Sequence, residues 1–296
     1  MSSSAITVIL PARNARATVR AALVSTMRGL PDGSRILVRD DASTDGTADS
    51  VRALRDPRIQ VLTDEAPLGV AGSLNALLDA VDTPLVARMD ADDLMLPGRW
   101  AAQTAALHAG ADLAFTSVID WWARPPIIRP QRPERVDAAV APLLLLVDNP
   151  FMHPTMLCRT STLRLLGGYR PVASEDYELW LRAAEHGMRL TRLATPRLLY
   201  RRHAQQVTAQ KSWRSARADN PVVEESFGRL AQAVLGFVPG WFAWRRDGFP
   251  ADRVPPGVGD ELDALAEAAR TLPVGSAQPL LRRLRRVRRH AARGTR

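Results

Sequence analysis

Short apolar runs rich in β-branched residues alternate with segments of helical spacing through the first 120 residues. "AITVILPA" reads as a strand closed by Pro11, and "ATVRAALVSTM" follows with Val19, Ala22, Leu23 and Met27 along one face. "SRILVRD" is a second strand, and after the Asp45-Gly46 turn "TADSVRAL" begins a helix that Thr47 is expected to cap. "RIQVLTD" is a third strand, and "SLNALLDAV" sets Leu74, Leu77, Leu78 and Val81 at i, i+3, i+4 and i+7. "PLVARMD" and "ADLAFTSVID" are a fourth and a fifth strand. Strand and helix in alternation predict an α/β fold, a mostly parallel sheet flanked by helices. Ligands in such folds bind outside the carboxyl ends of the strands.

The acidic residues gather at those ends. Asp40 and Asp41 close the second strand, and "RMDADDLMLP" puts Asp90, Asp92 and Asp93 just after the fourth. Like charges at close range push one of their number toward protonation unless a cation neutralises them. A bland reading gives both clusters only the work of capping the next turn. Two clusters on one sheet edge favour a shared cation such as Mg²⁺ or Mn²⁺, whose hard charge suits carboxylates and phosphates. A third acidic site opens "SEDYELWLRAAEHG", a helix expected to be capped by Ser174 and ended by Gly187. Glu175 and Asp176 there either satisfy the helix dipole or supply a general base.

Of the net charge of +9, eight units come from the arginines of "LLRRLRRVRRHAARGTR", residues 280–296, which contains no acid. The rest of the chain is therefore nearly neutral, which argues against a nucleic-acid surface spread over the fold. A single cysteine, Cys158, excludes an intrachain disulfide framework and suits a reducing compartment. No signal peptide and no apolar run of about 20 residues for a spanning helix is expected. "ARPPIIRPQRPER" should be an extended surface loop. "FGRLAQAVLGFVPGWFAWRR" carries Trp241, Phe242 and Trp244 beside two arginines, and two readings stay open: a helical lid, or a segment lying in a membrane interface.

Taken together, "ITVILPARN", "VRDDASTDGT", "PLGVAGSLNALLDA", "MDADDLMLPGRW", "NPFMHPTMLCRTSTLRLLGGYRPVASEDYELWLRAAEHG" and "LLYRRHAQQVT" resemble family 2 glycosyltransferases, over about residues 5–208. The resemblance implies the GT-A (Rossmann-like) fold and an inverting, metal-dependent enzyme. Such an enzyme moves a sugar from a nucleoside-diphosphate sugar, UDP preferred, to an acceptor hydroxyl on a sugar, a lipid-linked sugar or a small molecule. It implies nucleotide-sugar contacts for Pro11, Ala12, Asn14, Asp41, Asn75, Asp90 and Ala91. It further implies metal ligation by Asp92 with Asp90 and His203, and a catalytic base in Asp176. His153, Glu175 and His203 fall on the acceptor or diphosphate side. Mn²⁺ or Mg²⁺ is the implied cofactor. Three departures stand out: no aromatic precedes Asn14, "PLGVAGSLN" lacks an arginine and leaves Ser73 and Asn75 in its place, and "QKSWR" at 210–214 only echoes the processive-synthase element.

The expected organisation is a catalytic domain over 1–209, split into nucleotide-binding (1–120) and acceptor-binding (121–209) halves, then a helical appendage over 210–279 and the arginine-rich tail over 280–296. A cytoplasmic protein is expected, with the tail offering attachment to an anionic membrane surface at its inner face and no specific nucleic acid as partner. Two rival functions share parts of this pattern. A sugar-phosphate nucleotidyltransferase would use the same sheet and metal, but its glycine-rich loop is missing from "PARNARATVR". A non-enzymatic adaptor would use the tail to bind nucleic acid.

Overall fold

Three of the apolar runs of the first half, 6–12, 35–40 and 85–88, become strands buried on both faces, which is why they read as continuous rather than alternating. A computed structural model describes residues 4–123, 125–203, 206, 220–250 and 253–294. The elements begin β1 (Ile6–Ala12), α1 (Val19–Met27), β2 (Arg35–Asp40), α2 (Thr47–Arg52), β3 (Ile59–Thr63), α3 (Gly69–Asp79) and β4 (Leu85–Arg88). They continue with β5 (Leu94–Met95), α4 (Arg99–His108), β6 (Leu113–Ala123), β7 (Pro126–Pro130), α5 (Ala141–Leu145), β8 (Leu157–Arg159), α6 (Thr160–Leu165), α7 (Glu175–Glu185) and β9 (Leu190–Arg201). The last are α8 (Pro221–Leu235), α9 (Phe242–Arg246), α10 (Val258–Arg270) and α11 (Gln278–Gly294).

The chain divides into two compact units, and the division crosses the expected boundary at 209. One comprises Met1–Glu134, Phe151–Pro171 and Arg192–Ala204; the other comprises Arg135–Pro150, Val172–Thr191 and Gln205–Arg296. The physical reason is that α7 packs on α8 and α5, so the helix carrying Asp176 clusters with C-terminal helices.

The first unit is built on a nine-stranded sheet ordered β3-β2-β1-β4-β8-β6-β9-β5, with β7 paired to β6. β3, β2, β1 and β4 run parallel, and their register aligns Ala12 with Asp40 and Asp40 with Thr63 along the carboxyl edge. The remainder is mixed: β8 lies antiparallel to both β4 and β6, and β5 antiparallel to β9. Pro126–Pro130 of the proline-rich segment is a strand where a loop is expected, since β7 folds back on β6 with Trp122 opposite Ile127, while 131–135 lies outside any strand. An edge strand tolerates prolines because one side of its backbone needs no donors. The core gathers Ile6, Val8, Leu10, Val19, Leu23, Ile36 and Val38 with Ala87, Met89 and Trp100.

Two expected caps differ. α2 is preceded by Gly46 at φ 83°, a left-handed turn that glycine takes without strain, and Thr47 lies inside the helix with its hydroxyl on Asp45. Ser174 does stand at the start of α7, but at φ 66° its side chain makes no capping bond.

In the second unit a buried ion pair within α7 is hydrogen-bonded to α8. Arg182 Nη2 donates to Glu178 Oε2 at 2.8 Å, and Ser226 Oγ of α8 donates to Glu178 Oε1 at 3.0 Å. Asn220 caps α8 by accepting from the Val223 amide, with Pro221 as the first helical residue. Trp241, Phe242 and Trp244 are 2%, 8% and 3% exposed, and Trp241 Nε1 donates to the Leu146 carbonyl. The membrane-interface reading of these aromatics is therefore wrong: they are interior. The arginine-rich end is the helix α11, which buries Leu280, Leu284 and Val287. "QKSWR" lies outside the described residues. Among the described residues no helix is long and apolar enough to cross a membrane.

Candidate active site

The carboxyl edge of β1, β2 and β4 collects most of the residues singled out in the sequence. Pro11 and Ala12 end β1, and Asn14 follows at φ 49°. Asn14 ties two loops together, its amide donating to Ser43 Oγ at 2.8 Å and its Oδ1 accepting from the Thr44 amide at 3.0 Å. Asp40 is occupied with α2, accepting from Ser43 N and Ala48 N. Asp41 reaches the start of α3: Oδ1 accepts from Leu68 N at 2.7 Å and from Ser73 Oγ at 3.0 Å, and Oδ2 accepts from Gly69 N at 3.1 Å. An anionic group at a helix N-terminus is held by unpaired N–H groups and by the dipole. Asp41 is thus fixed in place by the fold.

The acidic cluster after β4 is the electrostatic centre of this unit. One carboxylate oxygen from each of Asp90, Asp92 and Asp93 lies within 4.8 Å of the others. Each has a partner that reduces the mutual repulsion. Arg88, two residues upstream, pairs with Asp90; His203 Nε2 lies 2.9 Å from Asp92 Oδ2; and the Arg201 amide donates to Asp93 Oδ1 at 2.8 Å. The Arg201 guanidinium donates to the Asp92 carbonyl at 2.7 Å while stacking 4.1 Å above the Trp121 ring. Burial raises the pKa of Asp90, with Arg88 opposing and Asp92 adding to the rise. Asp93 is raised well above the carboxylate range, by burial first and then by Asp90 and Asp92. Ala91 between them is buried.

These residues fit a hard divalent cation. The donors are carboxylate oxygens already within ligand distance of a common point, and Asp93 Oδ2 is buried with no hydrogen bond among the described residues. The trio includes Asp93 where the sequence reading had Asp92, Asp90 and His203; His203 stands beside Asp92 as its hydrogen-bond partner.

The strand end is braced from beneath by Arg99, fully buried at the start of α4. Its guanidinium donates to Gln103 Oε1, to the Arg88 carbonyl at 2.9 Å and to the Met156 carbonyl at 3.3 Å. Burial lowers its pKa to about 9, against the attraction of Asp93, so it stays charged at neutral pH. Gln103 extends the brace to the carbonyls of Ala114 and Thr155.

Two further expected site residues, Asn75 half-buried and His153 buried, bond to Tyr169. Asn75 is occupied with the backbone of Tyr169, donating from Nδ2 to its carbonyl and accepting at Oδ1 from its amide, both at 2.8 Å. His153 is 7% exposed and within 3.1 Å of the Tyr169 hydroxyl. Burial, then the nearby Arg88 charge, hold its pKa well below 6.5. The unfolded chain binds a proton there near 6.5 and the folded chain does not, so this residue costs no stability above that pH and destabilises the fold as pH falls below it. Asp90 and Asp93, raised in the fold, act with the opposite sign. The readout is therefore the difference between wild type and His153→Gln, melted at about pH 7.5 and about pH 5.5. The variant should lose less stability on acidification than the wild type; an equal or larger loss would contradict a buried neutral histidine.

In the second unit, Glu175 and Asp176 occupy the first turn of α7, both half-buried. Asn149 Nδ2 donates to Asp176 Oδ2 at 3.2 Å. The same loop is tied to α11, where Arg283 Nε donates to Asp148 Oδ2 at 2.8 Å while Asp148 Oδ1 accepts from the Asn149 amide.

The residues absent from the sequence reading are the cations. Arg88 had a signal: in a strand, positions two apart share a face, so it projects with Asp90. Arg201 had only its place two residues before His203.

The parallel strands of this mixed sheet carry an acidic, cation-fitting cluster at their carboxyl edge, and the comparisons specify the class of protein. The glycosyl transferase family 2 model matches residues 7–154. EpsE of Bacillus subtilis (strain 168) is 32% identical over 196 residues, 62% of this chain and 68% of its own length. The Escherichia coli protein WfaP, a UDP-Glc:alpha-D-GlcNAc-diphosphoundecaprenol beta-1,3-glucosyltransferase, is 24% identical over 252 residues, 81% of this chain and 97% of its own length. In fold, the chain superposes on S. aureus TarS 1–349, crystallised with UDP-GlcNAc, with a TM-score of 0.67 at 17% identity, covering 98% of this chain and 89% of that one. The chain belongs to glycosyl transferase family 2, has the GT-A fold and is an enzyme of the transferase class.

Proposed function

We propose that this enzyme is an inverting glycosyltransferase that moves a sugar from UDP to the hydroxyl of a lipid-carried sugar, in surface polysaccharide or glycolipid synthesis, working at the inner face of a membrane. The observation that carries the reading is the cluster of Asp90, Asp92 and Asp93, held at the carboxyl edge of the sheet by Arg88, His203 and Arg201. WfaP supports the choice of UDP and of a lipid carrier.

In this reading Pro11, Ala12 and Asn14 line the donor with Asp41, whose Oδ2 accepts one bond from Gly69 and keeps a further lone pair for the nucleobase. Asp92 and Asp90 would hold Mg²⁺ or Mn²⁺, with Asp93 behind them and His203 alongside. A cation there supplies positive charge against the diphosphate as it leaves. Asp176 is the base. Its carboxylate takes the proton of the acceptor hydroxyl, whose oxygen bonds to the anomeric carbon as the carbon–oxygen bond to the diphosphate breaks and UDP departs with the electron pair. One displacement with one base and no covalent intermediate inverts the configuration. Asn149 orients Asp176 through the bond to Oδ2.

The test is release of UDP from a panel of UDP-sugars in the presence of a lipid-diphosphate sugar acceptor, with Mn²⁺ and with EDTA. Metal-dependent release that requires the acceptor, with product of opposite anomeric configuration, supports the reading. Release that is indifferent to EDTA, or product of retained configuration, contradicts it.

A further inference from the structure

The helix α11 has two faces of opposite character. Leu280, Leu284 and Val287 form a stripe at i, i+4 and i+7 that is at most 2% exposed, packed among α10 and α5. At about 100° per residue, Arg285, Arg286 and Arg289 fall within about 100° of one another on the opposite side. All three are exposed. The arginines that flank the stripe are paired: Arg283 with Asp148 and Arg288 with Asp263. Among the described residues no carboxylate pairs with Arg285, Arg286 or Arg289. The fold thus satisfies its flanking cations and leaves a row of guanidinium groups on the outer face of a fixed helix.

We propose that this outer face of α11 is a docking surface for anionic lipid headgroups. Charge complementarity selects an anionic partner, and its form selects a bilayer over nucleic acid. The apolar stripe holds the helix flat against its own unit, so the arginines form a short strip suited to a surface of phosphates. The remainder of the chain is close to neutral, so the excess positive charge is confined to this helix and the end that follows it, where duplex binding uses a basic excess over a whole domain. Docking is electrostatic without insertion, because Trp241, Phe242 and Trp244 are interior and the stripe Leu280, Leu284 and Val287 of α11 is buried. The inference deepens the proposed reading, in which the acceptor is carried on lipid. Its test contains neither donor nor acceptor, so the two can fail separately.

The experiment is cosedimentation of the full chain with vesicles of phosphatidylcholine alone and of phosphatidylcholine with phosphatidylglycerol, at low and high salt. The wild type should partition onto the anionic vesicles only, and high salt should release it. The triple variant Arg285→Gln, Arg286→Gln, Arg289→Gln should bind about a hundredfold more weakly, at about fivefold per arginine, with an unchanged thermal melt. The corresponding triple lysine variant should retain binding, since the interaction needs charge and not the guanidinium shape. Equal partitioning of wild type and the glutamine variant would overturn the proposal. So would retention on duplex DNA with none on anionic vesicles, which would turn the face over to nucleic acid.

Discussion

Replacing Asp176 by asparagine is expected to lower kcat by about 100- to 10,000-fold, the range over which a positioned general base contributes, with UDP affinity unchanged within about twofold. The substitution is chosen to be structurally quiet. Asparagine has nearly the same shape, and its Oδ1 still accepts the hydrogen bond that Asn149 Nδ2 gives to Asp176 Oδ2. α7 keeps Glu175 and Glu178 in its first turn, so the dipole remains favoured. Only the capacity to accept a proton is lost. Steady-state rates with a competent acceptor, alongside a UDP titration, check the outcome. A fall in UDP affinity with kcat intact would move Asp176 from the chemistry to the donor site.

The second large effect belongs to Asp92. Asp92→Asn should lower kcat/KM by about 100-fold or more, because the loss of charge stabilisation by a bound cation is worth several kcal/mol. His203 can still donate to the asparagine oxygen, so the local hydrogen bond survives. The cluster loses one negative charge. That charge is one cause of the raised pKa of both Asp90 and Asp93, so its removal eases protonation of neither neighbour while weakening the hold on a cation. Raising the Mn²⁺ concentration should recover part of the activity, which separates a metal defect from misfolding.

What could be read from the chain alone follows from how local each signal was. β1, β2 and β4 were legible because a parallel strand buried on both faces is an unbroken apolar run, and the acidic positions were legible because they follow such runs directly. β8 was not: Leu157–Arg159 is three residues long and is a strand only because β4 and β6 lie on either side of it. β7 was hidden by its prolines, which forbid a central strand and not an edge one. Asn75 and His153 show the limit at single side chains. Both are polar and near the motifs, yet the backbone of Tyr169 claims one and its hydroxyl the other, across separations of 94 and 16 residues. The aromatics at 241, 242 and 244 were ambiguous for a related reason, since an amphipathic stretch looks alike whether a bilayer or a neighbouring helix covers it. In α11 the spacing of Leu280, Leu284 and Val287 was present all along, masked by arginine-rich composition.

The measurement that tests the central claim most directly is titration calorimetry of UDP, with GDP and dTDP beside it, on wild type and Asp92→Asn, each with Mn²⁺ and with EDTA. The account predicts that UDP binds the wild type in the presence of Mn²⁺, that EDTA abolishes most of the heat, and that the variant binds weakly under both conditions. Binding of UDP that is equally tight with EDTA and in the variant would contradict a cation held by the aspartate cluster.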